Sequence, residues 1–228
     1  MTALEALNEA VLDCHRCPRL VAWREQVARE KRAAYRDETY WGRPMQGFGD
    51  PAARVLILGL APAAHGGNRT GRIFTGDRSG DFLFASLHRT GFANQAESIS
   101  RDDGLELRGA YIVAAVRCAP PANLPTPQER DNCAEWLERE VALLPELHVV
   151  VCLGGFAWES ALRLRAALGG GAVPRPKPKF GHEALAEGEP WPLLGCFHPS
   201  QQNTFTGKLT PPMMDAVFAR ARALAWGA

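Results

Sequence analysis

The sequence predicts an α/β fold: a central, mainly parallel sheet of four strands with helices on both faces. Three observations predict it. Four short apolar runs, Val55–Leu58, Tyr111–Val116, His148–Leu153 and Trp191–Phe197, have the length and the bounding turn residues of buried strands. Segments of helical period lie between them, and strands alternating with helices build parallel sheets covered on both sides. The chain of 228 residues is 46% hydrophobic, enough for one α/β domain with a proper core.

Taken in order, residues 2–13 carry Leu4, Leu7, Val11 and Leu12 at helical spacing and run into Cys14-His15-Arg16-Cys17-Pro18. A basic helical segment follows to about Arg36. The stretch Tyr40–Pro51 is broken by Gly42, Pro44, Gly47 and Gly49 and reads as a loop. The first strand, Val55–Leu58, opens into a glycine-rich loop that gives way near Gly80 to a helix reaching about Thr90. Residues 91–108 are polar and irregular. The second strand, Tyr111–Val116, runs into Arg117-Cys118-Ala119-Pro120-Pro121-Ala122-Asn123.

Thr126-Pro127-Gln128-Glu129 has the form of a helix start: Thr126 as N-cap, Pro127 at the first helical position, Glu129 three residues on. That helix carries Cys133 and is expected to reach Leu144. His148–Leu153 is the third strand, Phe156–Leu168 a helix stopped by Gly169-Gly170-Gly171, and 172–190 a proline-rich loop. The fourth strand, Trp191–Phe197, ends in His198-Pro199-Ser200. Thr210-Pro211-Pro212 starts a last helix through Trp226. The residues that carry chemistry all follow strands, so they should converge on the carboxyl edge of the sheet, where open α/β sheets bind ligands.

Composition excludes some classes. No run of about 18 apolar residues is present, so no membrane span is expected. The N-terminus has acids where a signal peptide has bases, so a cytoplasmic protein is expected. The net charge of +1 neither supports nor excludes nucleic acid, although seven Arg and Lys crowd residues 16–36. Six cysteines in such a chain argue for metal or catalysis before disulfides.

The loop after the first strand is long and aperiodic, which is more often functional than not. Its glycines leave backbone N–H groups open to an anion, and Arg69, Arg72 and Arg78 add charge. Gly66 and Gly71 have the spacing of a P-loop, but Arg72-Ile73 stands where the lysine and hydroxyl belong, which argues against nucleotide hydrolysis. Phe74 in this loop is either a stacking platform for a base or an anchor to the core. Cys14 and Cys17 form a CxxC, and with Cys118 and Cys133 they suit either a tetrahedral zinc or a [4Fe–4S] cluster. Cys152 and Cys196 lie inside apolar strands and read as core. His198, at a strand's carboxyl end and followed by Pro, is well placed to meet a ligand.

The set GLAPAAHGGNRTGRIFTGD, AAVRCAPPAN and FHPSQQN, with the four cysteines, closely resembles the family 5 uracil-DNA glycosylases. The resemblance covers the chain from Cys14 to about Thr210. It implies a three-layer α/β/α fold, one domain over 1–228 with a cluster-binding segment at about 1–40, and a [4Fe–4S] cluster on Cys14, Cys17, Cys118 and Cys133. It also implies a monomeric, monofunctional enzyme of base-excision repair acting on uracil-containing DNA.

By the same resemblance Phe74 would stack on a flipped base, with Ala63 and Ala114 also shaping its pocket. His198 would donate to the base carbonyl. The related family 4 enzymes have GEAPG in the first motif; Leu60 and Ala61 stand here, and neither can activate water. Asp77 is then the first candidate for orienting water, and Asn123 the second. Arg69, Arg72, Ser200, Gln202, Asn203 and Lys208 would contact the DNA backbone. Ala114 replaces an Asn of the family 4 pattern. A less selective pocket is therefore expected, one that accepts hypoxanthine and prefers uracil opposite guanine. The rival readings are an iron–sulfur redox protein and a damage-binding module without hydrolysis.

Overall fold

The computed structural model describes residues 1–227. Its strands are β1 (Phe48–Gly49), β2 (Val55–Gly59), β3 (Ala110–Ala114), β4 (Val149–Leu153), β5 (Leu185–Ala186) and β6 (Leu193–Cys196). Its α-helices are α1 (Ala3–Leu12), α2 (Pro18–Glu30), α3 (Gly67–Thr70), α4 (Arg78–Arg89), α5 (Pro127–Val141), α6 (Gly155–Arg165), α7 (Gln201–Phe205) and α8 (Pro211–Trp226).

The sheet has six strands in the order β1-β3-β2-β4-β6-β5, not four. The expected four are its centre and are parallel throughout, with Ile57 opposite Ile112 on one side and Val151 on the other. The two additional strands are antiparallel edges of two residues each. A two-residue strand has no period to read, so both fell in stretches that the sequence marks as loop.

Every residue of β2, β3 and β4 is buried, as expected of strands covered on both faces. The side chains alternate. Val55, Ile57, Ala110, Ile112, Val149 and Val151 face a core closed by Leu83, Phe84 and Leu87 of α4 and by Val217 and Phe218 of α8. Leu56, Leu58, Tyr111, Val113, Val150 and Cys152 face the opposite core, closed by Leu137 and Val141 of α5 and by Trp158 and Leu162 of α6. This is the three-layer α/β/α arrangement.

Helix ends follow local chemistry. At α5 the Thr126 hydroxyl accepts from the Glu129 N–H at 3.2 Å, and the Thr126 N–H donates to Glu129 Oε2 at 2.7 Å, the capping box anticipated there. The helix stops at Val141, short of Leu144. The basic segment is α-helical to Glu30 and adds a 3-10 turn at Ala33–Tyr35, and α7 forms where the sequence showed only the end of a strand and a loop. Among the described residues no helix is long and apolar enough to cross a membrane.

Candidate active site

Three strand ends supply one pocket. The loop after β2 brings Ala63, Phe74 and Asp77, the segment after β3 brings Asn123, and the turn after β6 brings His198, Ser200 and Gln202. Together they line a cavity of about 670 Å³, large enough for a nucleotide.

Phe74 is anchored in the core and also lines the pocket. It is 8% exposed and belongs to the core, yet its ring lies 5.9 Å from the His198 ring at 36° on the pocket wall. Its φ of +51° is an outlier for a bulky residue. Such backbone costs about 1–3 kcal/mol and persists where the surroundings over-determine it. Gly59 is one reason it fits: a Cβ there would come within 2.9 Å of the Phe74 ring.

Asp77 is the N-cap of α4, a role the sequence reading missed by starting that helix near Gly80. Its Oδ1 accepts from the N–H groups of Ser79 at 2.9 Å and Gly80 at 3.0 Å. Its Oδ2 makes no hydrogen bond among the described residues and sits where any Cβ on residue 66 would go, so Gly66 has to be glycine. Burial pushes the Asp77 carboxyl up, while the two N–H bonds and Arg69 pull it back. One oxygen thus caps the helix and the other is left unengaged among the described residues.

His198 is half-buried. Burial pushes its imidazole down to about 4, so the ring is neutral at pH 7 and offers one N–H donor. Asn203 does not line the pocket: its amide donates to the His198 carbonyl at 2.9 Å and fixes the turn. Asn123 follows Ala122 with both residues at positive φ, +57° and +52°. This exposed turn presents the Asn123 amide to the pocket without a protein partner among the described residues.

Two of the expected DNA contacts are internal struts. Arg72 is 5% exposed; its guanidinium grips both Asp103 oxygens at 2.7 and 2.8 Å and reaches Ser98 and Thr75. Burial works against the Asp103 charge, but the Arg72 fork and the N–H groups of Leu105, Ile99 and Ser100 hold its carboxyl well below the usual range. Arg69 binds Glu38 and the carbonyls of His65 and Gly76 and lies over Tyr35 at 4.0 Å. Both arginines are spent on folding the glycine-rich loop. Of that loop's three arginines only Arg78 stays exposed on the pocket rim. Ala114 is likewise not on the pocket surface; it lies in the core that holds Phe74. Lys208 is exposed, its ammonium 5.0 Å over the Phe197 ring.

A family profile described as the Uracil DNA glycosylase superfamily matches residues 46–222. The chain belongs to that superfamily. It is 55% identical over 221 residues to the type-5 uracil-DNA glycosylase of Mycobacterium bovis, covering 96% of this chain and 81% of the relative. It is 52% identical to that of Mycobacterium leprae, covering 98% and 96%. It is 51% identical to that of Thermus thermophilus, covering 97% and 98%.

This member of the uracil-DNA glycosylase superfamily has a second polar centre, at the cysteines. Cys17, Cys118 and Cys133 are buried together with Leu20 and Val116, and Cys14 is within electrostatic reach of Cys118 and Cys133. Among the described residues no three His, Cys, Asp or Glu side chains gather closely enough to hold a single ion. Each of three sulfurs has an N–H donor: Arg24 on Cys118 at 3.0 Å, Trp136 on Cys14 at 3.3 Å and Asn132 on Cys17 at 3.5 Å. Burial pushes the free Cys118 thiol up to about 12 and Cys133 to about 11, while the charges of Arg24 and Arg117 oppose it. Arg24 Nε and Arg117 Nε and Nη1 are buried without partners. Buried cations and orphaned donors around four sulfurs fit an anionic group held by thiolates. Sequence reasoning missed these arginines, since only Arg117 adjoins a cysteine in the chain.

Proposed function

We propose that the protein is a monofunctional DNA glycosylase of base-excision repair that flips uracil out of DNA and hydrolyses its bond to deoxyribose. The observation that carries this is the meeting in one pocket of Phe74 and Asp77, from the loop after β2, with His198, from the turn after β6. A base within a duplex has to leave the stack before its glycosidic bond can be reached. Phe74 stacks on the extruded base. The neutral His198 donates a hydrogen bond to the carbonyl oxygen on which charge develops as the base departs. The free Oδ2 of Asp77 orients water toward the cation-like sugar, with Asn123 as a second water or base ligand. Ala63 bounds the base, and Ser200, Gln202, Arg78 and Lys208 meet the DNA backbone. Such contacts position the enzyme without reading sequence. Release of free uracil from a uracil-containing oligonucleotide tests the proposal; binding without release would mark a damage-recognition module instead.

The enzyme acts as a monomer on DNA in the cytoplasm, as one domain over 1–228 with residues 1–40 as a cluster-binding segment. Selectivity rests on how easily a base leaves its stack, because residue 114 is an alanine in the core beneath the pocket and offers no amide to the base. Uracil opposite guanine should therefore be cut faster than uracil opposite adenine, and hypoxanthine opposite thymine should be cut detectably. Single-turnover rates on matched duplexes check both; equal rates on the two uracil pairs would remove the flipping argument.

Cys14, Cys17, Cys118 and Cys133 would hold a [4Fe–4S] cluster, whose chemistry here is to cross-link the N-terminal segment to α5. Arg19 extends that link: it pairs with Glu129 at 2.6 Å and donates to the Leu124 carbonyl at 3.1 Å, beside Asn123. Purified protein should be brown with about four irons per chain, as four cysteines imply. Cys118→Ser should lose colour and fold, and Cys152→Ala should keep its iron. One zinc in a colourless protein would end this reading.

A further inference from the structure

Arg24 is 2% exposed and pairs with no carboxylate among the described residues. Among the described residues the only hydrogen bonds of its guanidinium run from Nη1, to Cys118 Sγ at 3.0 Å and to the Cys14 carbonyl at 3.3 Å, and its Nε has no partner. Arg117 is 1% exposed; one nitrogen pairs with Glu140, and Nε and Nη1 have none. Glu140 is itself buried and accepts from the Tyr111 hydroxyl at 2.6 Å. A charge in such a dry site is costly unless something of opposite sign lies close. Glu140 pairs with Arg117, and no carboxylate among the described residues pairs with Arg24, so the Arg24 charge is uncompensated by a protein carboxylate. The remaining cations nearby, Arg16 and Arg19, are partly exposed and already paired with Glu135 and Glu129.

We propose that Arg24 and Arg117, opposed by Glu140, set the reduction potential of the metal cluster held by the four cysteines. The proposal rests on the cluster reading above. Net charge and hydrogen bonds to the sulfurs are among the factors that tune such a centre. A buried cation beside it stabilises the form that has gained an electron, so the potential is raised; a buried carboxylate lowers it. In a dry site these charges act with little screening. The change is the transfer of one electron between electrode and cluster, with no bond made or broken.

The test is voltammetry on the iron-loaded, full-length protein, with iron content and visible spectrum measured on each sample. Arg24→Gln should shift the potential to more negative values, and Arg24→Lys should stay near the wild type. Glu140→Gln keeps the size and hydrogen-bonding reach of the side chain and should shift the potential to more positive values. Because Glu140 touches no cysteine, that variant gives a reading even if Arg24→Gln loses its iron. Fully loaded variants with an unmoved potential, or shifts of the same sign for Arg24→Gln and Glu140→Gln, would overturn the proposal. A wild-type protein without iron would overturn the cluster reading itself, and would be seen before any variant is made.

Discussion

His198→Ala should lower single-turnover excision of uracil by about 10²–10³-fold, the loss typical of one preorganised donor to a developing oxyanion. The physical reason is the ring's burial. Pushed down to about 4, the imidazole is neutral at working pH and cannot be a proton source there. Its contribution is a fixed N–H on the pocket wall, and a hydrogen bond to developing charge is strongest once the bound base has displaced the water there. DNA affinity should change little, since most affinity comes from phosphate contacts elsewhere. The excision rate should show no step near pH 6.5, the ordinary histidine value. Stability should show one: between about 4 and 6.5 the unfolded chain binds a proton that folded His198 does not. Stability therefore rises with pH across that window and levels off above it. A His198→Ala protein that excises at the wild-type rate would remove His198 from the chemistry.

Asp77→Asn should also lose on the order of 10²–10⁴ in rate, the range for a positioned acid–base group. This variant separates the two jobs of Asp77. Asn caps helices about as well as Asp, so α4 and the thermal stability should survive. What disappears is the charge on Oδ2, the oxygen that no N–H engages. Asp77→Ala removes the cap as well and should cost a further ~1 kcal/mol of stability. Burial raises the Asp77 carboxyl above its usual value, so wild-type excision should fall on the acid side of neutral as that group protonates. The acid limb should vanish in Asp77→Asn. Wild-type rates in Asp77→Asn would hand the water to Asn123, whose amide is otherwise unengaged at the pocket rim.

Much of this was legible along the chain. The four central strands could be read because a buried strand is a short apolar run. The α5 start could be read because Thr126, Pro127 and Glu129 cap a helix through bonds only three residues long. The convergence of Phe74, Asn123 and His198 followed from topology, since parallel strands deliver their carboxyl ends to one edge. The CxxC and its two distant cysteines were visible as a set.

Other properties depended on partners far away in sequence, and only the tertiary structure decided them. Arg69 and Arg72 looked like phosphate ligands in a glycine-rich loop. Glu38 and Asp103, each 31 residues away, turned them inward. Ala114 lay within a motif yet sits beneath the pocket, because in the folded sheet its side chain faces the core that holds Phe74. Asp77 became both cap and candidate catalyst because Gly66, without a Cβ, leaves room for its second oxygen. Arg24 reads in the chain as one more base on a basic helix; across 94 residues it meets Cys118 and becomes a buried charge beside sulfur. Local bonds and periodicity are written in neighbouring residues, whereas burial and charge pairing depend on what the fold brings alongside.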